Sequence, residues 1–132
     1  MKIKYLFLFL TGLAMVSFDN AATLKGTYIF QGGTYNGLVE GAPKEYTLQR
    51  NYTDKGFTAY AYQKGMKTLK YETGTYTLKA DSCFEIETFS SQPSKILGKT
   101  VRYRYLLKNN ELVLSGTLPT GMIVEEHWKK IK

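Results

Sequence analysis

Apolar and polar residues alternate with a period of two along much of the chain, most clearly in its last third, residues 99–132. Within residues 101–105, valine and tyrosine alternate with arginine, and loop-forming residues at 109–110 and 119–121 separate two further runs. A period of two is the repeat of a β-strand whose two faces meet different surroundings. The last third therefore predicts three antiparallel strands joined in sequence order.

The same pattern of alternating strands and turns continues upstream to Leu24, without a segment of helical period. Gly74 interrupts one run, so residues 68–79 form either two strands or one strand bent at this glycine. The glycine-rich residues 31–37 predict a loop or turn. Upstream of the last three strands, the predicted strands cover residues 24–30, 45–50, 56–63, 68–72, 75–79 and 83–89.

The connections between these strands are mostly short, which favours an all-β fold, an antiparallel up-and-down β-barrel of about eight strands. Closing the sheet in this way removes the exposed edges that make open sheets prone to aggregation. An antiparallel sandwich accounts for the same strand count, but it usually needs longer connections between its two sheets.

The first 22 residues differ from the rest. Lys2 and Lys4 precede a short apolar run, and small residues follow it, which is the pattern of a secretory signal peptide. The apolar run is shorter than the ~20 residues that span a bilayer. We expect cleavage near Ala22, so residues 23–132 are predicted to be one barrel domain, periplasmic or secreted, without stable membrane insertion.

The amino-acid composition argues against several classes of function. The formal net charge is +7, but the basic residues are spread along the chain, which argues against a nucleic-acid partner. Cys83 is the only cysteine and lies in a strand-like run, where a buried, inert thiol is expected. His127 is the only histidine, and the adjacent Glu125 and Glu126 face opposite sides of a strand. We therefore expect no enzyme activity, no metal site and no cofactor.

Three segments carry a family resemblance. Residues 24–28 resemble the opening glycine-x-aromatic signature of lipocalin and calycin barrels, and residues 125–130 resemble the closing strand of bacterial lipocalin-like domains. Residues 72–78 resemble a strand of small exported lipocalin-like proteins of Gram-negative gut bacteria. In lipocalins the opening aromatic is normally a tryptophan packed against a basic side chain. Tyr28 takes that position here and Trp128 lies on the last strand, so the resemblance implies that their roles are exchanged across the barrel floor.

The resemblance implies a barrel that holds a small hydrophobic or amphipathic molecule. Alternation places Glu126 on the inward face of the last strand, where an ionised carboxylate needs a basic partner. Arg102 and Arg104 share one face of an earlier strand and could pair with it or hold an anionic headgroup. The alternative is that both arginines face solvent, while Tyr103 and Tyr105 build the core.

Tyrosines provide a second group of candidates. Tyr60 and Tyr62 repeat the spacing of the tyrosines at 103 and 105, and they suit either a polar-rimmed cavity or outward cross-strand pairing. The candidate ligand-binding residues are Tyr60, Tyr62, Arg102, Arg104, Glu126 and Trp128.

A different function is also open. The chain could be a non-catalytic protein-interaction or inhibitor module of the cell envelope that has a protein partner and works through its outer surface or loops. That function predicts a solid core and an exposed apolar patch, around Tyr35 or the loop of residues 90–95.

Overall fold

The computed structural model describes residues 23–132, and the predicted signal segment lies outside the described residues. This part of the chain forms β-strands and contains no helix, so it offers no helix that could cross a membrane. The strands are β1 (Gly26–Tyr35), β2 (Leu38–Gly41), β3 (Thr47–Tyr52), β4 (Gly56–Tyr62), β5 (Leu69–Lys79), β6 (Ser82–Ser90), β7 (Thr100–Lys108), β8 (Glu111–Thr117) and β9 (Ile123–Lys130).

Eight of these strands close into an antiparallel barrel. From β3 to β9 each strand pairs with the next, and β1 closes the ring by pairing with β9 on one side and β3 on the other. The extra strand, β2, pairs with the second half of β1 and forms a short hairpin with it. The predicted all-β barrel of about eight strands is confirmed.

The glycine-rich segment 31–37 is not a loop over most of its length. β1 continues to Tyr35 through a bulge between Phe30 and Gly32, and only Asn36 and Gly37 turn, both with positive φ. The wall requires a glycine at position 33, because a Cβ there would lie 2.3 Å from the carbonyl oxygen of Glu125 on β9. The loop prediction was wrong here because the glycines permit close packing of two strands.

Gly74 bends one continuous strand, β5, as one of the two alternatives from the sequence predicted. The pairing of β5 with β6 shifts register between Thr73 and Gly74, which is the signature of a bulge. A Cβ on Gly74 would lie 2.5 Å from the carbonyl oxygen of Ile86 and 2.6 Å from the ring of Phe57. The bend therefore brings the backbone against a core aromatic ring.

One end of the barrel is filled by tyrosines and Leu24. The hydroxyl of Tyr28 donates a hydrogen bond to the carbonyl oxygen of Leu24 at 2.8 Å. The hydroxyl of Tyr76 accepts one from the Leu24 amide at 3.0 Å and donates one to the carbonyl oxygen of Thr53 at 2.6 Å. The ring of Tyr52 lies edge-on to both other tyrosines, with centroids 5.3 Å apart. This end is closed, so access to the inside is from the opposite end.

Candidate functional site

Above the closed end the barrel contains a cavity of about 370 Å³. It continues into a wider cleft of about 860 Å³ at the open end, and residues shared by the two include Leu48, Ile96, Leu118 and Met122. Aromatic side chains dominate the inner wall. They are Phe30, Tyr35, Tyr46, Tyr71, Tyr103 and Trp128.

Arg50 lies at the base of this cavity, on the inward face of β3. It is 6% exposed, so its charge is compensated within the protein. One terminal nitrogen lies 3.2 and 3.3 Å from the two carboxylate oxygens of Glu85 and donates to the hydroxyl of Tyr52 at 2.7 Å. The other terminal nitrogen donates to Glu72 at 3.0 Å. Arg50 therefore connects β3 to β5 through Glu72 and to β6 through Glu85.

Aromatic rings complete the surroundings of Arg50. Its guanidinium carbon lies 4.4 Å from the ring centroid of Phe57 and 5.3 Å from that of Trp128, both within cation–π range. Burial alone would lower the pKa of Arg50, but Glu85, Tyr52 and Glu72 raise it well above its ordinary value. The guanidinium stays charged, and its strongest contacts are already used within the protein.

Acidic groups outnumber Arg50 inside the barrel. Burial raises the pKa of Glu85, and Arg50 opposes this rise. The pKa of Glu72 is raised to about 7, first by burial and then, against the effect of Arg50, by a hydrogen bond and charge from Glu87. The hydroxyl of Ser94, in the loop after β6, donates to Glu87. The carboxyl group of Glu72 therefore binds a proton at a higher pH than an exposed glutamate does.

Glu126 occupies a different part of the cavity wall. The hydroxyl of Tyr35 donates to one of its carboxylate oxygens at 2.8 Å, and the indole nitrogen of Trp128 lies 3.4 Å from the other. Burial and the nearby Glu126 raise the pKa of the Tyr35 hydroxyl, so it remains a neutral donor. The ion pairs found within residues 23–132 do not include Glu126. A direct ion pair of the kind expected for this carboxylate is therefore not observed in the described chain, although Arg50 interacts with it from a greater distance.

Arg102 and Arg104 do not line the cavity, which corrects their assignment as candidate ligand-binding residues. Both are exposed on the outer face of β7, and the side chain of Arg104 is 78% exposed beside Asp81, 3.5 Å away. Tyr103 and Tyr105 are buried on the opposite face. Strand alternation allows only one of these two sets inside, and the tyrosines bury apolar surface without an unpaired charge.

Tyr60 and Tyr62 are likewise on the outer face, which corrects their assignment as lining residues. On β4 the buried residues are Phe57 and Ala59, so the intervening positions point away from the core. The two tyrosine rings lie side by side with centroids 5.9 Å apart. Of the two explanations that the sequence left open, the outward one holds for this pair.

Glu126 and Trp128 are thus the two candidates that lie in the cavity wall. Sequence reasoning missed Arg50, Glu72 and Glu85. A signal for Arg50 was present, because Leu48 and Tyr52 flank it on the same face of β3, whereas the other face of that strand carries threonine, glutamine and asparagine. No comparable apolar pattern marks the two glutamates.

Trp128 also bears on the exchange of roles implied by the family resemblance. Its ring lies 5.1 Å from that of Phe30 and faces Arg50 of β3, rather than the neighbouring lysines of its own strand. Tyr28 packs against Tyr52 at the closed end. The described structure therefore has a tryptophan–arginine contact, but it lies at the base of the cavity and uses a basic side chain of β3.

Cys83 and His127 lie on opposite faces of the barrel wall and form no dyad. Cys83 is fully buried, and burial raises the pKa of its thiol. His127 faces outward, where its two ring nitrogens lie 2.9 Å from Glu111 and 3.0 Å from Glu125. Residues 23–132 contain no group of three or more histidine, cysteine, aspartate or glutamate side chains arranged to hold a metal ion.

The side chain of Tyr35 itself points to Glu126, but exposed apolar residues lie beside it on the outer surface. Leu38 of β2, which pairs with Tyr35, is 74% exposed, and the adjacent Val39 is 81% exposed. In the loop after β6, Ile96 is half-buried and packs against the core. The loop therefore contributes to the cavity entrance as well as to the surface.

Comparison with known proteins supports the fold and names no activity. No protein-family model matches the chain, and no curated protein matches it. Among solved structures, the chain is similar to the crystal structure of an uncharacterized protein from Bacteroides eggerthii DSM 20697, with a TM-score of 0.59. The two sequences are 14% identical, and the match covers 80% of this chain and 98% of that chain. This likeness shows a shared fold, and the eight-stranded barrel is consistent with a calycin-like architecture.

Proposed function

We propose that this protein is an exported, non-catalytic, lipocalin-like barrel that binds a small amphipathic molecule. The observation that carries the proposal is the cavity, which reaches from the open end to Trp128 and Arg50. Its volume of about 370 Å³ lies within the range of small-molecule sites. Aromatic walls with a few convergent polar groups are also typical of such sites.

The distribution of polar groups gives the ligand an orientation. The entrance has apolar side chains, among them Leu48, Leu118 and Met122, with polar ones such as Lys67 and Lys95 at its border, whereas Glu126 and the hydroxyl of Tyr35 belong to the inner cavity. Apolar surface gains from contact with the entrance, and a polar group needs hydrogen-bond partners when it leaves water. We expect the polar end of the ligand to enter first and its apolar body to remain near the entrance.

Trp128 provides a built-in probe for the test, because it is the only tryptophan of the chain and lies in the cavity wall. Titration with the apolar dye N-phenylnaphthylamine should quench Trp128 emission by energy transfer, with saturation at one dye per protein. Leu118→Arg places a long charged side chain at the entrance and should weaken dye binding by about tenfold or more, because desolvating that charge opposes occupancy.

Leu106→Arg is the matched control, since Leu106 is 60% exposed on the outer face of β7. It should bind the dye as the unmodified chain does. Urea unfolding of both variants shows beforehand that each is folded. Absence of saturable energy transfer, or equal binding by the two folded variants, would contradict ligand binding in the cavity.

A further inference from the structure

The charge of the inner cavity is biased towards acid. The charged side chains that line it are Arg50 and the glutamates at positions 40, 72 and 126. Arg50 already contacts Glu72 and Glu85 and is flanked by aromatic rings. It therefore has little capacity left to hold the headgroup of an anionic ligand. Lys67 and Lys95 border the wider outer cleft and are exposed there.

Glu126 keeps unused capacity as an acceptor. A carboxylate offers about four lone-pair positions on its two oxygens. Tyr35 occupies one at 2.8 Å, and the contact from Trp128 is long at 3.4 Å. Both donors are neutral, and no basic side chain of the described residues forms an ion pair with this carboxylate, although the charge of Arg50 acts on it from a greater distance. A protonated amine would supply both the missing hydrogen bonds and the opposite charge.

The aromatic wall favours the same chemistry. Tyr35, Tyr71, Tyr103 and Trp128 line the cavity together with Glu126. The faces of such rings carry negative potential and attract cations, an effect that strengthens when water is excluded. A carboxylate headgroup at this position would meet the like charge of Glu126, which opposes its entry.

We propose that the amphipathic ligand carries a cationic amine headgroup, which lies against the carboxylate of Glu126 among these aromatic rings. This inference rests on the proposed function and specifies its ligand class. It departs from the expectation of an anionic ligand, because Arg102 and Arg104 are outside the barrel and the one inward arginine is already paired. The apolar body of the ligand extends towards Leu118.

Three probes with the same apolar chain separate the alternatives. Decylamine, decanol and decanoate are titrated at about pH 7, where the first is cationic and the last anionic, with Trp128 emission as the signal. Decylamine should bind at least about tenfold more tightly than decanoate, since a hydrogen bond between charged groups contributes an effect of this size. Decanol should lie between the two.

Two neighbouring variants assign the effect to one carboxylate. Glu126→Gln keeps an acceptor for Tyr35 and Trp128 but removes the charge, so it should weaken decylamine binding about tenfold and change decanol binding less than about twofold. Glu125→Gln removes a charge from the outer face, where Glu125 contacts His127, and should leave all three affinities unchanged.

The titrations distinguish failure of the cationic ligand class from failure of ligand binding itself. If decanol or N-phenylnaphthylamine binds but decanoate binds as tightly as decylamine, the cationic ligand class is overturned and ligand binding stands. Equal effects of Glu126→Gln and Glu125→Gln on decylamine would also overturn it. If no probe binds to the folded protein, the proposed function itself fails.

Discussion

Arg50 compensates the carboxylates that lie around the base of the cavity. Moving a charge from water into a protein interior is unfavourable, and a buried ion pair offsets this only when its geometry is good and its remaining hydrogen bonds are made. Arg50 meets both conditions through Glu72, Glu85 and Tyr52. Its removal would leave two buried carboxyl groups facing each other without a cation.

Arg50→Ala should therefore lower the free energy of unfolding by about 3–5 kcal/mol, the usual result of breaking a buried pair from one side. Urea denaturation followed by circular dichroism measures this change. Arg102→Ala is the control, since Arg102 is exposed on the outer face of β7, and it should change stability by about 0.5 kcal/mol or less. Similar losses in the two variants would mean that the interior pair contributes little.

At the residue scale, alternation predicted the inward face of β9 and therefore the positions of Glu126 and Trp128. It left the arginines of β7 ambiguous, because tyrosine suits both a core and a wet surface. Glu72 and Glu85 were beyond prediction from the sequence. The burial of these two carboxylates is compensated by Arg50, which lies on a strand distant in sequence.

β1 depends on glycines more than its sequence suggested. Gly33 faces the backbone of β9 so closely that any side chain would displace that strand. Gly33→Ala should lower the free energy of unfolding by about 1–3 kcal/mol, the range found for overpacking. Urea unfolding measures the loss, and Gly41→Ala in β2 is the control because a Cβ there would contact nothing within 4 Å. Equal stability of the two variants would contradict the close approach of β1 and β9.

At the scale of the elements, the strands were predicted correctly where apolar residues alternate with polar ones, as in β6 to β9. The bend in β5 was foreseen because an interior glycine often marks a bulge. The second half of β1 and the whole of β2 were missed. Their glycines and polar residues are typical of turns. These segments form strands because β1 pairs with β9 and β2 pairs with β1, and the contact with β9 is long-range and not visible in the local sequence.

At the scale of the whole molecule, closure of the barrel followed from short connections and the absence of helical period. The cavity could not be predicted from these features, because it depends on which side chains fill each layer of the barrel. Tyrosines and Leu24 fill the closed end, while the layer containing Glu126 keeps open space. The family resemblance implied the fold and a ligand, but the charge of the interior became visible only when the inward faces were known.

That interior charge makes stability depend on pH. Glu72 interacts with Arg50, Glu85 and Glu87, and its pKa is raised from about 4.5 to about 7 in the folded protein. The folded state therefore binds more protons than the unfolded chain between these values. Stability follows the difference in bound protons, so the contribution of Glu72 falls as pH rises through this window.

His127 adds an effect of the same sign on the outer face. Hydrogen bonds to Glu111 and Glu125 raise its pKa above the ordinary value of about 6.5. The protonated ring is bound to both carboxylates, and this stabilisation is fully present below about pH 6.5. It is lost as pH rises through the raised pKa of the folded state, although exposure of the site to water keeps it small.

The protein should consequently be more stable at about pH 5.5 than at about pH 8.5, which urea unfolding at both values measures. Glu72→Gln cannot ionise and should reduce the difference between the two pH values, and His127→Gln should reduce it by a smaller amount. Their effects should add in the double variant, because Glu72 and His127 share no hydrogen-bond partner and lie on opposite faces of the wall. A stability that rises with pH, or an unchanged difference in both variants, would contradict the assignment of raised pKa values to these two groups.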